Sequence, residues 1–175
     1  MPQVVDVAKY ILQHQGRMSP MKLQKLVYYA QVWWSVGHPH DEALFPEAIK
    51  AWAQGPVVPS LFQAHKGRAS VDQTEIPGDA NALSAPEREA VDEVLVFYGA
   101  FSAQYLSALT HHERPWKQAH DVGEKSGHAS PVISLGVIRA FYGGRTPVQL
   151  HAEYKLAVAR EVMKKHAKSL ARLAL

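Results

Sequence analysis

The chain has 175 residues, 47% of them hydrophobic, and a mean hydropathy of −0.20. That fits one globular domain, or one domain with an appendage, and excludes disorder for most of the length. Cysteine is absent, which excludes disulfides, thiolate zinc sites and a cysteine nucleophile. The net charge of +3 is unevenly placed: Val148 to Leu175 holds six basic residues against Glu153 and Glu161, so the rest of the chain sums to about −1 and lacks the basic excess of a nucleic-acid-binding face.

Val4, Val7, Ala8, Ile11 and Leu12 recur at helical spacing, and Gly16 is a natural stop, so a first helix is expected over Val4–Gln15. Ser19 and Pro20 form the start of a second, as cap and first helical residue, which should run through Trp34 and end before Gly37. A polar loop is expected from His38 to Pro46, then a short extended piece over Glu47–Trp52 and a turn at Gly55-Pro56. Pro59 suits the first turn of a third helix reaching His65, followed by loop to Ala82 with a brief strand near Val71–Ile76. Ser84 and Glu87 have the spacing of a capping box. The helix they open should end at Gly99, and another, capped by Ser102, should reach Thr110. Pro115-Trp116 should begin a short turn or helix, with polar loop from His120 to Pro131 and a last short helix over Ser134–Tyr142. Leu156, Ala159, Met163, Ala167, Leu170 and Ala174 then mark a long helix, roughly Val148–Leu175.

The expected fold is mainly α: a single compact helical domain of six or seven helices, with at most a small β-hairpin, and a long C-terminal helix. The division expected is a helical domain over residues 1–146 and a basic amphipathic helix over 147–175. No stretch approaches the roughly 20 apolar residues that cross a bilayer, and no secretory signal precedes the first helix, so a cytoplasmic protein without a membrane partner is expected.

Three stretches resemble the Panacea domain, the family of the phage-associated GepA proteins and the SocA antitoxin. The first is Val7-Ala8-Lys9-Tyr10-Ile11-Leu12 with Met21-Lys22-Leu23-Gln24-Lys25-Leu26-Val27-Tyr28-Tyr29-Ala30-Gln31. The second is Glu47-Ala48-Ile49 and Ala51-Trp52 leading into Gly55-Pro56-Val57-Val58-Pro59. The third is Tyr105-Leu106-Ser107, Leu109-Thr110-His111, Glu113 and Pro115-Trp116. Together they cover about residues 4–142. The chain departs from the pattern in placing Gln54, not an aromatic residue, before Gly55, and in a slightly longer loop before Glu47. The resemblance implies a prophage-associated antitoxin that neutralises a cognate toxin by direct contact. For SocA-like members it also implies a proteolytic adaptor that delivers the toxin to the ClpXP protease.

Read without the family, the second helix puts Leu23, Leu26, Val27, Ala30 and Trp34 on one stripe. Lys22, Tyr29 and Trp33 flank it on one side, Gln24, Tyr28 and Gln31 on the other, and Lys25 lies toward the back. These rings either wrap a central core helix or line a docking groove, since Tyr and Trp combine large area with a polar handle. Trp52 with Gly55-Pro56 is either a buried ring stapling a turn or a rigid rim. Thr110, His111, Glu113 and Trp116 form either a polar network at a helix end or part of that rim. The candidate protein-binding residues are therefore Lys22, Gln24, Lys25, Tyr28, Tyr29, Trp33, Trp52, Gly55, Pro56, His111 and Trp116. The tail helix either packs one face on the domain or meets an acidic partner or a second copy.

Catalysis is not expected. His38-Pro39-His40-Asp41 and His111-His112-Glu113 are the densest ligand clusters, and neither has the i, i+4 histidine pair of a zinc hydrolase. No phosphate loop or nucleophile elbow occurs, so neither a metal nor a cofactor is expected. The alternatives to an antitoxin are a small cytosolic enzyme and a DNA-binding regulator. The second helix is too aromatic and too poor in Arg to suit the regulator.

Overall fold

The computed structural model describes residues 1–38, 43–127 and 130–173, with residues 168–173 described by their backbone alone. Eight α-helices and one two-stranded sheet occur among them: α1 (Val4–Gln15), α2 (Pro20–Gly37), β1 (Lys50–Trp52), β2 (Gly55–Val57), α3 (Pro59–His65), α4 (Ala85–Tyr98), α5 (Ala103–His112), α6 (Arg114–Ser126), α7 (Leu135–Tyr142) and α8 (Pro147–Leu173). The mainly helical fold with a small hairpin is the one expected. No helix among the described residues is long and apolar enough to cross a membrane. The chain divides into two units, Met1–Gly143 and Gly144–Leu175.

In the first unit α2 is the central element, packed against α1, α3, α4, α5, α7 and β2. Leu23, Leu26, Val27 and Ala30 are fully buried on its apolar stripe. The Ser19 hydroxyl accepts the Lys22 amide at 3.3 Å and Pro20 occupies the first turn, so the cap forms as the sequence suggests. The helix continues past Trp34 to Gly37. His38 then closes it, its ring stacked on Trp34 at 3.8 Å and its amide on the Trp34 carbonyl at 3.0 Å.

The hairpin corrects one reading. Its turn is Ala53-Gln54, not Gly55-Pro56, and the register pairs Lys50 with Val57, Ala51 with Pro56 and Trp52 with Gly55. Proline has no amide hydrogen to give a ladder, and here it sits on β2, an edge strand, where none is required. The Ala51 amide instead reaches the Pro131 carbonyl at 2.9 Å on the other side of β1. The strand expected near Val71 contracts to a single two-way bridge with Met18, because the Asp72 side chain then turns the chain by accepting from Thr74.

The capping box of α4 forms, with the Ser84 amide on Glu87 Oε2 at 2.7 Å. Ser84→Ala should lower stability by about 1 kcal/mol in urea denaturation, and Ser84→Gly by only a few tenths. An unchanged midpoint in Ser84→Ala would show that the box contributes nothing. α6 runs on to Ser126, where loop was expected from His120. Pro115 starts it, Gly127 ends it in the left-handed conformation (φ 71°), and only Pro115, Trp116 and Gly123 along it are buried.

The second unit is α8 and its lead-in. Thr146 Oγ1 accepts the Gln149 amide at 3.2 Å while Gln149 Oε1 accepts the Thr146 amide at 2.9 Å, a reciprocal start for the helix. Leu156, Val162 and Met163 are exposed on it.

Candidate functional site

The first turns of α2, the hairpin and α3 enclose a cleft of about 370 Å³. Trp52 and Phe62 meet edge to face at 5.0 Å in its wall, with Val57 and Met21 adding apolar surface. Gln24, Lys25 and His65 supply its buried polar groups. An apolar concavity with a few placed polar groups is the usual form of a recognition site.

Each polar group is held by local geometry. Gln24 Oε1 accepts the Val58 amide at 2.9 Å and its Nε2 donates at 3.3 Å to the Val58 carbonyl, which also accepts the Phe62 amide at 3.0 Å, so the side-chain amide ties α2 to the residue that opens α3 and pairs its backbone N–H. The same Nε2 lies 3.1 Å from His65 Nε2, and burial lowers the His65 pKa, favouring the neutral ring that can accept there. Lys25 is 1% exposed and donates from Nζ to the Pro56 carbonyl at 3.1 Å. Burial pulls its pKa down to about 8. Gly55 makes this reach possible: at φ 105°, a Cβ there would stand 2.7 Å from Lys25 Cε and 2.9 Å from Thr110 Oγ1.

The hairpin tip is fastened from α5 and α6 through its carbonyl oxygens. Trp116 Nε1 donates to Trp52 O at 2.9 Å, His111 Nε2 meets Ala53 O at 2.9 Å, and Ser107 Oγ donates to Gln54 O at 3.0 Å. On the other flank, Trp52 Nε1 donates to Ser130 Oγ at 2.7 Å. The tip is thus rigid while Ala53 and Gln54 themselves stay exposed.

The eleven sequence candidates therefore separate. Gln24, Lys25 and Trp52 line the cleft; Gly55 and Pro56 are buried behind it; His111 and Trp116 brace it. Tyr28 and Tyr29, offered as docking residues, belong to the core at 1% and 0% exposure, because α2 is enclosed by helices on the flanks where those rings project. Trp33 is half-buried with its indole N–H on the Tyr98 hydroxyl at 3.1 Å, and Lys22 ties α2 to the end of α4 through Gly99 O at 2.6 Å. Phe62 and His65 were not singled out. Their spacing of three on α3 is the one local signal that places them on a shared face.

Behind the cleft's helix sits a second polar feature. Glu113, where α5 meets α6, is 2% exposed, and its Oε2 accepts from the Tyr29 hydroxyl at 2.9 Å and the Tyr142 hydroxyl at 2.6 Å. Tyr28 joins through Tyr142 at 3.1 Å, and Tyr29 stacks on Tyr98 at 4.0 Å. Burial raises the Glu113 pKa to about 8, although both tyrosine hydrogen bonds act the other way. The His111-His112-Glu113 run does not converge on one point: His111 serves the hairpin and Glu113 the core. Of the His38–Asp41 run, residues 39–41 lie outside the described residues. His120, Asp121 and Glu124 bring ligand atoms within 4.8 Å of one another, with both acids exposed.

The family described as "Antitoxin SocA-like, Panacea domain" matches residues 23–117, more than half of the chain. The chain belongs to this family. The Panacea match opens in α2 and closes in α6, so it takes in the cleft residues from Gln24 to His65, the hairpin and Glu113, and leaves α1, α7 and α8 outside. Among curated proteins and solved structures, nothing matches the chain.

Proposed function

We propose that this chain is a cytosolic antitoxin that neutralises a cognate toxin by gripping it, not by catalysis, and that the hairpin cleft is the grip. The observation that carries this reading is the antitoxin-family match over residues 23–117, which contains the hairpin and most of the cleft. A rigid rim beside buried aromatic surface suits recognition of a polypeptide. The test begins with the reading frame beside this gene. Its product alone should arrest growth, co-expression of this chain should restore it, and the two proteins should co-purify. Ala53→Arg puts a long cation at the exposed mouth of the cleft and should weaken toxin binding at least roughly tenfold without moving the melting temperature. A neighbour that is neither toxic nor bound removes the antitoxin reading. Parental affinity in Ala53→Arg removes the cleft from it.

Delivery of the bound toxin to ClpXP is the finer form of this proposal, and α8 is the element that favours it. Val162 and Met163 are exposed beside Lys164 and Lys165, a mixed apolar and basic surface of the kind that docks partners. Replacing Val162 and Met163 with Ser should slow toxin degradation in a reconstituted protease assay and leave toxin affinity unchanged. Equal degradation rates would take α8 out of the delivery role.

A further inference from the structure

We propose that two copies of this chain pair by exchanging helices. The apolar, basic face of α8 in one copy docks on the acidic face of α4 in the other, which returns its own α8 in the same way. α4 does not line the hairpin cleft, and the proposal does not depend on the antitoxin reading.

On α4, Glu89, Asp92, Glu93 and Val96 recur at helical spacing and form one exposed stripe. Val96 is 87% exposed, with Asp92 on one side of it and Glu93 on the other. Along the stripe lies a shallow hollow of about 580 Å³ that reaches Tyr10 of α1, with Arg88 its one base among the described residues. The Tyr10 hydroxyl lies 3.0 and 3.1 Å from the two Asp92 oxygens, so that carboxylate is held in place. A valine left in water between two acids adds nothing to the core.

α8 carries the reciprocal pattern. At 100° per residue, Leu156, Ala159 and Met163 share a stripe, with Lys155 on one flank and Arg160 on the other. Leu156 and Met163 are 52% and 71% exposed. The two acids of this helix are already engaged, Glu153 by Arg145 at 3.2 Å and Glu161 by Lys164 at 3.3 Å. An apolar stripe bracketed by bases thus complements one bracketed by acids, and both are exposed in the single chain. Pairing α8 with another α8 would set basic flanks against each other, which costs energy. A reciprocal exchange closes the assembly at two copies and makes the contact twice, as a short stripe needs to approach the area of a stable dimer.

The experiment is sedimentation velocity of the full chain at low salt, over roughly 1–200 µM. A monomer–dimer equilibrium with a dissociation constant of about 1–100 µM is expected, weakening at least about threefold when salt is raised to about 0.5 M. Glu89→Lys with Glu93→Lys should raise that constant roughly tenfold or more, and so should Lys155→Glu with Arg160→Glu. All four positions are exposed, so both variants should melt with the parent. Mixed in equal amounts, the two reversed proteins should dimerise again, because each basic helix then meets an acidic one. The chain has no cysteine, so Val96→Cys in one protein and Met163→Cys in another give a defined link. A short bismaleimide should join these two to each other in preference to either with itself. A parent that stays monomeric at about 200 µM overturns the proposal, as does a dimer that survives the α4 reversal. Loss on reversing α8 alone would mark an α8–α8 pair instead. A mixture that fails to restore the dimer also overturns it, as does a chain carrying both cysteines that links them within itself. No arm contains the toxin, so a failed dimer leaves the antitoxin reading standing, and a missing toxin leaves the dimer.

Discussion

Tyr29→Ala should cost the protein about 3–5 kcal/mol of folding stability, the range for truncating a large buried ring. The ring is fully buried, lies against Tyr98 at 4.0 Å with an interplanar angle of 8°, and its hydroxyl donates to Glu113 at 2.9 Å. Removing it opens a void and takes one of two donors from a buried carboxyl. Tyr29→Phe keeps the stack and loses only the hydroxyl, so about 1–3 kcal/mol is expected there. Denaturant titration of the three proteins reads both values. Among molecules that remain folded, partner affinity should be unchanged, because the side chain does not reach the surface. A Tyr29→Ala protein that melts with its parent but loses its partner would return this residue to the interface.

Glu113 should make stability fall as pH rises through the neutral range. Its folded pKa is about 8 against an ordinary 4.5. The native state therefore keeps a proton that the unfolded chain has already released. The sign follows from linkage: this group's contribution is complete below 4.5, declines across the window, and is gone above about 8. Each pH unit inside the window costs on the order of 1 kcal/mol. Glu113→Gln retains acceptors for Tyr29 and Tyr142 without the buried charge, and should flatten the curve of stability against pH. His65 works in the opposite sense, since burial lowers its pKa and its contribution is lost as pH falls. Subtracting the Glu113→Gln curve from the parental one removes it. Parallel curves for the two proteins from pH 4.5 to 8 would show that Glu113 does not titrate as described.

What the sequence revealed was decided locally. Val4–Gln15, the Ser19-Pro20 start and the Ser84–Glu87 box depend on neighbours within one helical turn, and all three form. The hairpin turn was read two residues late because Gly-Pro is a strong turn signal. Here Gly55 is required for a distant reason: the clearance it gives Lys25 and Thr110. The second half of α6 was hidden by its polarity, since Gly123 is its one buried residue after Trp116. Part of the candidate site was visible. Gln24, Lys25 and Trp52 were chosen and do share a cleft, whereas Phe62 and His65 gave no sign of facing it. Tyr28 and Tyr29 were ambiguous because a helix ringed by aromatics looks alike whether neighbours or a guest cover it. The burial of Glu113 was beyond reach, as Tyr29 and Tyr142 come to it from 84 and 29 positions away.

The tip of the hairpin is moored by Trp116, His111 and Ser107 through main-chain oxygens alone. Every amino acid supplies such an oxygen, so the identities at positions 53 and 54 are released from any duty to the scaffold. A descendant gene can respell those two letters while the mould that presents them keeps its shape.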